Sequence, residues 1–200
     1  MSTTRLLLVR HGQSTWNAVG KWQGQADPPL SDKGRRQALA AAASVGMVDA
    51  IVASTLSRAY ETAEIIAETI GIGPVIADHR LQETDAGEWT GLTRAEIDEG
   101  WPGWVDSGRR PDRFESVDHV VSRAVAAVVD IHEAFPGGTV LVVTHGGIMR
   151  YIRHSLGASV DDVFNLSGHW YDVLGSKLTA GDHIELIDTS MRTAVGPAQL

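Results

Sequence analysis

Leu6-Leu7-Leu8-Val9 and Val140-Leu141-Val142-Val143 are each four apolar residues in a row. A strand with one wet face alternates apolar and polar side chains, so an unbroken run needs both faces covered. Such runs belong to the centre of a parallel sheet, and parallel neighbours must be joined by crossovers, usually helical. Strands are predicted at residues 5–9, 49–53 and 139–144, with shorter or less apolar candidates at 75–77, 170–174 and 184–187. Helical segments fall between them. Ser31 suits the N-cap of a helix over 32–44, and Ser57 that of a helix over 58–70 which Gly71 would stop. Thr93-Arg94-Ala95-Glu96 has the form of a capping box for a short helix ending near Gly100. Ser116 can open a long helix to Ala134, and a last helix over 147–156 ends at Gly157. The expectation is an α/β three-layer sandwich, a mostly parallel central sheet with helices on both faces. With 200 residues, a single domain over 1–200 is expected. Residues 83–115, where Gly, Trp and Pro cluster, form a lid-like excursion.

Charge and cysteine content narrow the chemistry. Seventeen Lys+Arg against 25 Asp+Glu give a net charge of −8. That balance argues against a nucleic-acid partner and against an anionic membrane surface. A site for an anion must therefore be a local basic cluster. There is no cysteine, which excludes disulfides, thiolate metal sites and cysteine nucleophiles. No secretory or transmembrane segment is expected, because the N-terminal apolar run is short and meets Arg10. These features are compatible with a reducing compartment, and a cytoplasmic protein is expected.

Ligands of open α/β sheets bind beyond the carboxyl ends of the strands. His11 stands there in Val9-Arg10-His11-Gly12, and His145 in Thr144-His145-Gly146-Gly147. The following glycines allow backbone to approach a ligand closely. Arg10, beside a buried strand end, is hard to account for structurally, since a buried unpaired charge is costly.

The stretch Arg10-His11-Gly12-Gln13-Ser14-Thr15-Trp16-Asn17 resembles the signature of the histidine phosphatase superfamily, also called the phosphoglycerate mutase-like family. Companion motifs follow in order. Leu30-Ser31-Asp32-Lys33-Gly34 resembles L-S-x-x-G, and the stretch from Ser54 to Ala63 resembles S-x-L-x-R-A-x-x-T-A. The stretch from Leu81 to Gly91 resembles L-x-E-x-x-x-G-x-W-x-G, and Val142 to Gly147 matches the second histidine motif. The resemblance implies the phosphoglycerate mutase-like fold and a phosphoryl transfer through a phosphohistidine. It makes His11 the nucleophile, and Glu83 the acid that protonates the leaving oxygen and then activates water. Arg10, Arg58 and His145 would supply positive charge to the phosphoryl group, with Asn17 as a neutral donor. No metal and no cofactor is implied. By motif position Gln23, Gly24 and Gly146 line the phosphate or substrate. Arg58, in the first turn of its predicted helix, would share the anion with that helix's free N–H groups. Asp85 and Glu88 are the neighbouring rivals of Glu83.

Other residues have two readings. Trp22, Trp89, Trp101 and Trp104 either wall a pocket or simply pack. Arg94, Arg109, Arg110 and Arg113 either reach a second anionic group or form a solvated stretch. Where many relatives carry G-G-E-S, this chain has Arg113-Phe114-Glu115-Ser116, which implies a different pocket mouth. The mutases of the family have a longer insertion, a longer tail and a Tyr where this chain has Ala86. The expectation is therefore a metal-independent phosphomonoesterase acting on a small phosphorylated metabolite. The alternatives are a cofactor-dependent phosphoglycerate mutase and a non-catalytic phospho-ligand binding module. No H-x-H or H-E-x-x-H spacing suggests a metallohydrolase. A homodimer paired through an edge strand is a further expectation.

Overall fold

The computed structural model describes residues 2–159 and 162–193. Six strands form one sheet: β1 (Thr4–Arg10), β2 (Ala50–Ser54), β3 (Ile76–Asp78), β4 (Thr139–Thr144), β5 (Ser167–Leu174) and β6 (Lys177–Glu185). Their order is β3-β2-β4-β1-β5-β6. The first four run parallel, with β4 between β1 and β2, so the two unbroken apolar runs lie side by side. Strands β5 and β6 add an antiparallel hairpin.

The helices are α1 (Asp32–Ala42), α2 (Ser57–Ile70), α3 (Arg94–Gly100), α4 (Val117–Ala134) and α5 (Gly146–Ser155). They explain why those runs contain no polar residue. Leu6, Leu8, Val140 and Val142 face one core with Val120, Ala124 and Val128 of α4 and Ile148 and Ile152 of α5. Leu7, Val9, Leu141 and Val143 face the opposite core with Ala41 of α1 and Ala59, Ala63 and Ile66 of α2. Successive strand residues point to opposite faces, and both faces are covered. The sandwich is the one expected from the sequence.

Several boundaries differ from expectation, three of them for a visible reason. The last strand is not 184–187 but Lys177–Glu185, an edge strand with most side chains exposed. Its polar face toward water removes the apolar signal. Strand β5 begins earlier, at Ser167, because Gly168 pairs with Val9 and lies so close to the Leu8 carbonyl that a Cβ would collide with it. Helix α2 begins at Ser57, with Leu56 as N-cap. The capping acceptor comes from far away: Asp27 takes the Ser57 N–H at 2.7 Å and its hydroxyl at 2.6 Å.

Residues 83–115 cross the carboxyl ends of the strands and include α3, whose Thr93–Glu96 capping box is present. The excursion has its own small core of Trp22, Ala86, Trp89 and Ile97. Among the described residues, no helix is long and apolar enough to cross a membrane.

Candidate active site

His11 follows directly on β1 and is 2% exposed. Its Nδ1 lies 2.6 Å from the Gly12 carbonyl. A carbonyl only accepts, so Nδ1 carries the ring proton and Nε2 keeps its lone pair. Arg58 Nε donates to that lone pair at 3.2 Å. The loop bearing His11 is fixed backbone on backbone. The Gly12 N–H donates to Thr62 Oγ1 of α2 at 3.1 Å. A Cβ on Gly12 would come 2.7 Å from the Gly34 carbonyl, and one on Gly34 would collide with the Gln13 carbonyl. The Leu30–Gly34 motif is thus the seat of the His11 loop. Asn165 completes it, donating to the His11 carbonyl at 2.8 Å.

Arg58 is fully buried and donates to the carbonyls of Ala26 and Gly24 at 2.8 and 2.9 Å. Arg10 donates to the Val163 carbonyl at 2.7 Å. His145, after β4, meets the Ser54 hydroxyl through Nε2 at 2.8 Å. The His11 and His145 rings stand edge to face, with centroids 5.1 Å apart. Arg10 Nε, His145 Nδ1 and Asn17 Nδ2 are buried and find no hydrogen-bond partner among the described residues. An unmatched buried polar group costs roughly 1–3 kcal/mol. Three of them stand at the same end of the sheet.

Glu83 is 3% exposed. Its Oε1 accepts the Thr84 N–H at 2.8 Å, and Oε2 the Gly147 N–H at 3.0 Å, beside His145 at the start of α5. A Cβ on Gly147 would collide with Glu83 Oε1. The rivals are placed otherwise: Asp85 Oδ1 accepts the Gly87 N–H within a turn, and Glu88 is exposed.

A buried imidazole whose unprotonated Nε2 faces Arg58, two buried guanidiniums, a second histidine and a buried carboxyl converge here. The histidine phosphatase superfamily model, branch 1, matches residues 6–174. The chain belongs to the histidine phosphatase superfamily. The glucosyl-3-phosphoglycerate phosphatase of Mycolicibacterium vanbaalenii is 36% identical, over 98% of this chain and 95% of that protein. The metal-independent phosphoserine phosphatase of Arabidopsis thaliana is 35% identical, over 82% of this chain and 74% of that one. The structure of mycobacterial glucosyl-3-phosphoglycerate phosphatase complexed with VO3 superposes with a TM-score of 0.74 at 30% identity, covering 90% of this chain and 97% of that one. This histidine phosphatase is a phosphoric monoester hydrolase.

Burial, then Arg58 and Arg10, hold the His11 imidazole well below the usual histidine range. Burial, then Arg58, His11 and Arg10, do the same to His145. Burial also brings Arg10 and Arg58 down to about 10, so both stay charged at neutral pH. The resemblance implied a positive charge on His145, and its lowered pKa disfavours one in the free protein. In the free histidine phosphatase it is neutral and offers a ring N–H. Of the first N–H groups of α2, that of Ser57 is taken by Asp27.

The neutral histidines set an acid sensitivity. Above the ordinary histidine value of 6.5 neither state binds the two protons. Below it, the unfolded chain takes up two protons that the folded chain refuses. Stability is therefore present above about pH 6.5 and lost as pH falls, at roughly 1.4 kcal/mol per pH unit for each histidine. Thermal melts from pH 7 to pH 5 should fall steeply. His11→Asn and His145→Asn should each flatten that slope, and equal slopes in all three proteins would refute the neutral pair.

The remaining candidates separate cleanly. Gln23 Oε1 accepts the Ser14 hydroxyl at 2.6 Å and braces the His11 loop. Gly24 has φ of 51° and meets the lid so closely that a Cβ would lie 2.7 Å from the Ala86 nitrogen. Gly146 opens α5 beside Arg10. Trp22 and Trp89 pack edge to face at 5.2 Å inside the lid core. Arg94 pairs with Asp98 and Asp106, and Arg109 stacks 4.4 Å over Trp104. Of that group Arg110 lines a cavity of about 930 Å³, with Val117, Val121, Arg150 and Tyr151. Arg150 on its wall interacts electrostatically with Arg10 and Glu83. Asn165 and Arg150 stand outside every recognised motif, and Ser54 lies inside one without an assigned role.

Proposed function

We propose that this phosphatase works through a phosphohistidine on His11. The observation that carries the reading is the His11 Nδ1 bond to Gly12, which leaves the Nε2 lone pair for phosphorus. Arg10 and Arg58, with the His145 Nδ1 hydrogen and Asn17 Nδ2, hold the phosphoryl oxygens. Guanidiniums suit that task because each binds two oxygens and stays charged. The Nε2–P bond forms as the P–O bond to the leaving group breaks. The departing oxygen keeps that electron pair and takes the proton of Glu83. The Gly12 carbonyl stabilises the positive charge that develops on the ring. Water then gives a proton to Glu83 as its oxygen bonds phosphorus, and the electron pair of the N–P bond returns to Nε2. Two buried guanidiniums make a metal unnecessary for charge neutralisation.

The substrate's remainder would lie in the neighbouring cavity. Arg110, Arg150 and Tyr151 on its wall suit an acidic group, and Val117 and Val121 a compact apolar stretch. The relatives named for glucosyl-3-phosphoglycerate and phosphoserine fit that description, since both compounds carry a carboxylate. A phosphorylated hydroxy or amino acid is the class of substrate we infer. Ala86, where mutases have Tyr, is buried in the lid core, which supports hydrolysis over isomerisation. A panel of phosphorylated acids, assayed with excess chelator, should release phosphate. 3-Phosphoglycerate primed with bisphosphate should give negligible 2-phosphoglycerate. Isomerisation outrunning hydrolysis, or activity that needs a metal restored, would overturn the reading.

A further inference from the structure

We propose that Arg123, anchored by Glu115, is a positioning residue that holds the backbone carrying Glu83. The inference rests on the reading of Glu83 as the general acid. A guanidinium has five N–H donors, and Arg123 uses them all. Nε donates to Glu115 Oε1 at 2.7 Å. One Nη2 hydrogen goes to Glu115 Oε2 at 2.9 Å and the other to the Glu83 carbonyl at 3.0 Å. Nη1 serves the carbonyls of Arg80 and Gln82. Three carbonyls in the four residues that end at Glu83 thus converge on one planar group.

Glu115 grips the other side of the acid. Its Oε2 accepts the Asp85 N–H at 3.1 Å, and its own N–H donates to the Asp85 carbonyl at 2.9 Å. Burial pushes the Glu115 carboxyl up, but Arg123, the Asp85 N–H and His119 outweigh it and hold the group below the usual carboxylate range. Glu115 therefore stays ionised at neutral pH.

Arg123 is not needed to dock its own helix. Helix α4 is seated by Val120, Ala124, Ala127, Val128 and Ile131. The segment before Glu83 is also tied to β4, where Thr144 Oγ1 donates to the Leu81 carbonyl at 2.9 Å. What Arg123 adds is the placement of residues 80–83 relative to α5, where the Glu83 carboxylate meets Gly147. Lysine would keep the charge but not the fork that reaches all five acceptors.

The test compares kcat/KM for an alkyl phosphate and for 4-nitrophenyl phosphate in Arg123→Lys, Glu115→Gln and Glu83→Gln. The ratio of the two values is independent of how much protein is folded. It reports the phosphorylation step, in which a poor leaving group needs the acid and nitrophenolate does not. Misplacing a catalytic group by about 1 Å costs on the order of 10²-fold. Arg123→Lys should lower the alkyl value by roughly 10- to 100-fold and the nitrophenyl value less than about threefold. Glu115→Gln should move the ratio the same way. Equal losses on both substrates, or none, in these two variants while Glu83→Gln does shift the ratio would overturn this inference alone. An unchanged ratio in Glu83→Gln would overturn the acid assignment and this inference with it.

Discussion

Replacing His11 by asparagine should lower kcat by about 10⁴-fold or more, in the range seen when a nucleophile is removed. Asparagine keeps a donor near the Gly12 carbonyl but has no atom at Nε2. Arg58 Nε loses its Nε2 acceptor, but Arg10 keeps the Val163 carbonyl, and Arg58 keeps those of Gly24 and Ala26. Affinity for inorganic phosphate or vanadate should therefore stay within about threefold, since uniform binding and chemistry are separate losses. Residual activity above about one per cent would mean that another group attacks phosphorus.

Gly147→Ala should dissociate stability from activity. Gly147 is the second residue of α5, and its φ is not in the left-handed region. Alanine is the better helix former, by up to about 1 kcal/mol, so Tm should hold or rise. The new Cβ, however, collides with Glu83 Oε1 and comes 3.1 Å from Glu83 Cδ and from Thr84 Oγ1. All of these are side-chain atoms, so the acid moves and the helix stays. A displaced general acid and base should cost roughly 10²- to 10⁴-fold on alkyl phosphates. Full activity in a folded Gly147→Ala protein would show that Glu83 does not act from the place where Gly147 holds it.

Sequence and structure agree most where a residue's partners are local or strand-borne. The unbroken runs 6–9 and 140–143 announced a central parallel pair, because burial on both faces leaves a direct mark on composition. Arg10, His11, Asn17, Arg58, Glu83 and His145 were legible through motifs, and the structure brings them to one end of the sheet. Legibility failed where the partner is distant or the property is collective. Asn165 reaches the His11 carbonyl across 154 residues, and Arg123 reaches the Glu83 carbonyl across 40. No local pattern encodes either contact. Strand β6 left only the displaced signal at 184–187, because most of it is an exposed edge. The neutrality of His145 follows from burial beside Arg58, which residue type alone does not specify. Trp22 and Trp89 pack against each other in the small core of residues 83–115.

The central claim is a covalent intermediate on His11 Nε2. Wild-type protein mixed briefly with a substrate bearing radiolabelled phosphate, then quenched in alkali, should retain label, because a phosphoramidate survives base and is lost in acid. Peptide mapping should place that label on His11, and His11→Asn should carry none. Label on a carboxylate, or none on any residue at a time when the leaving group has been released in a burst, would contradict the account.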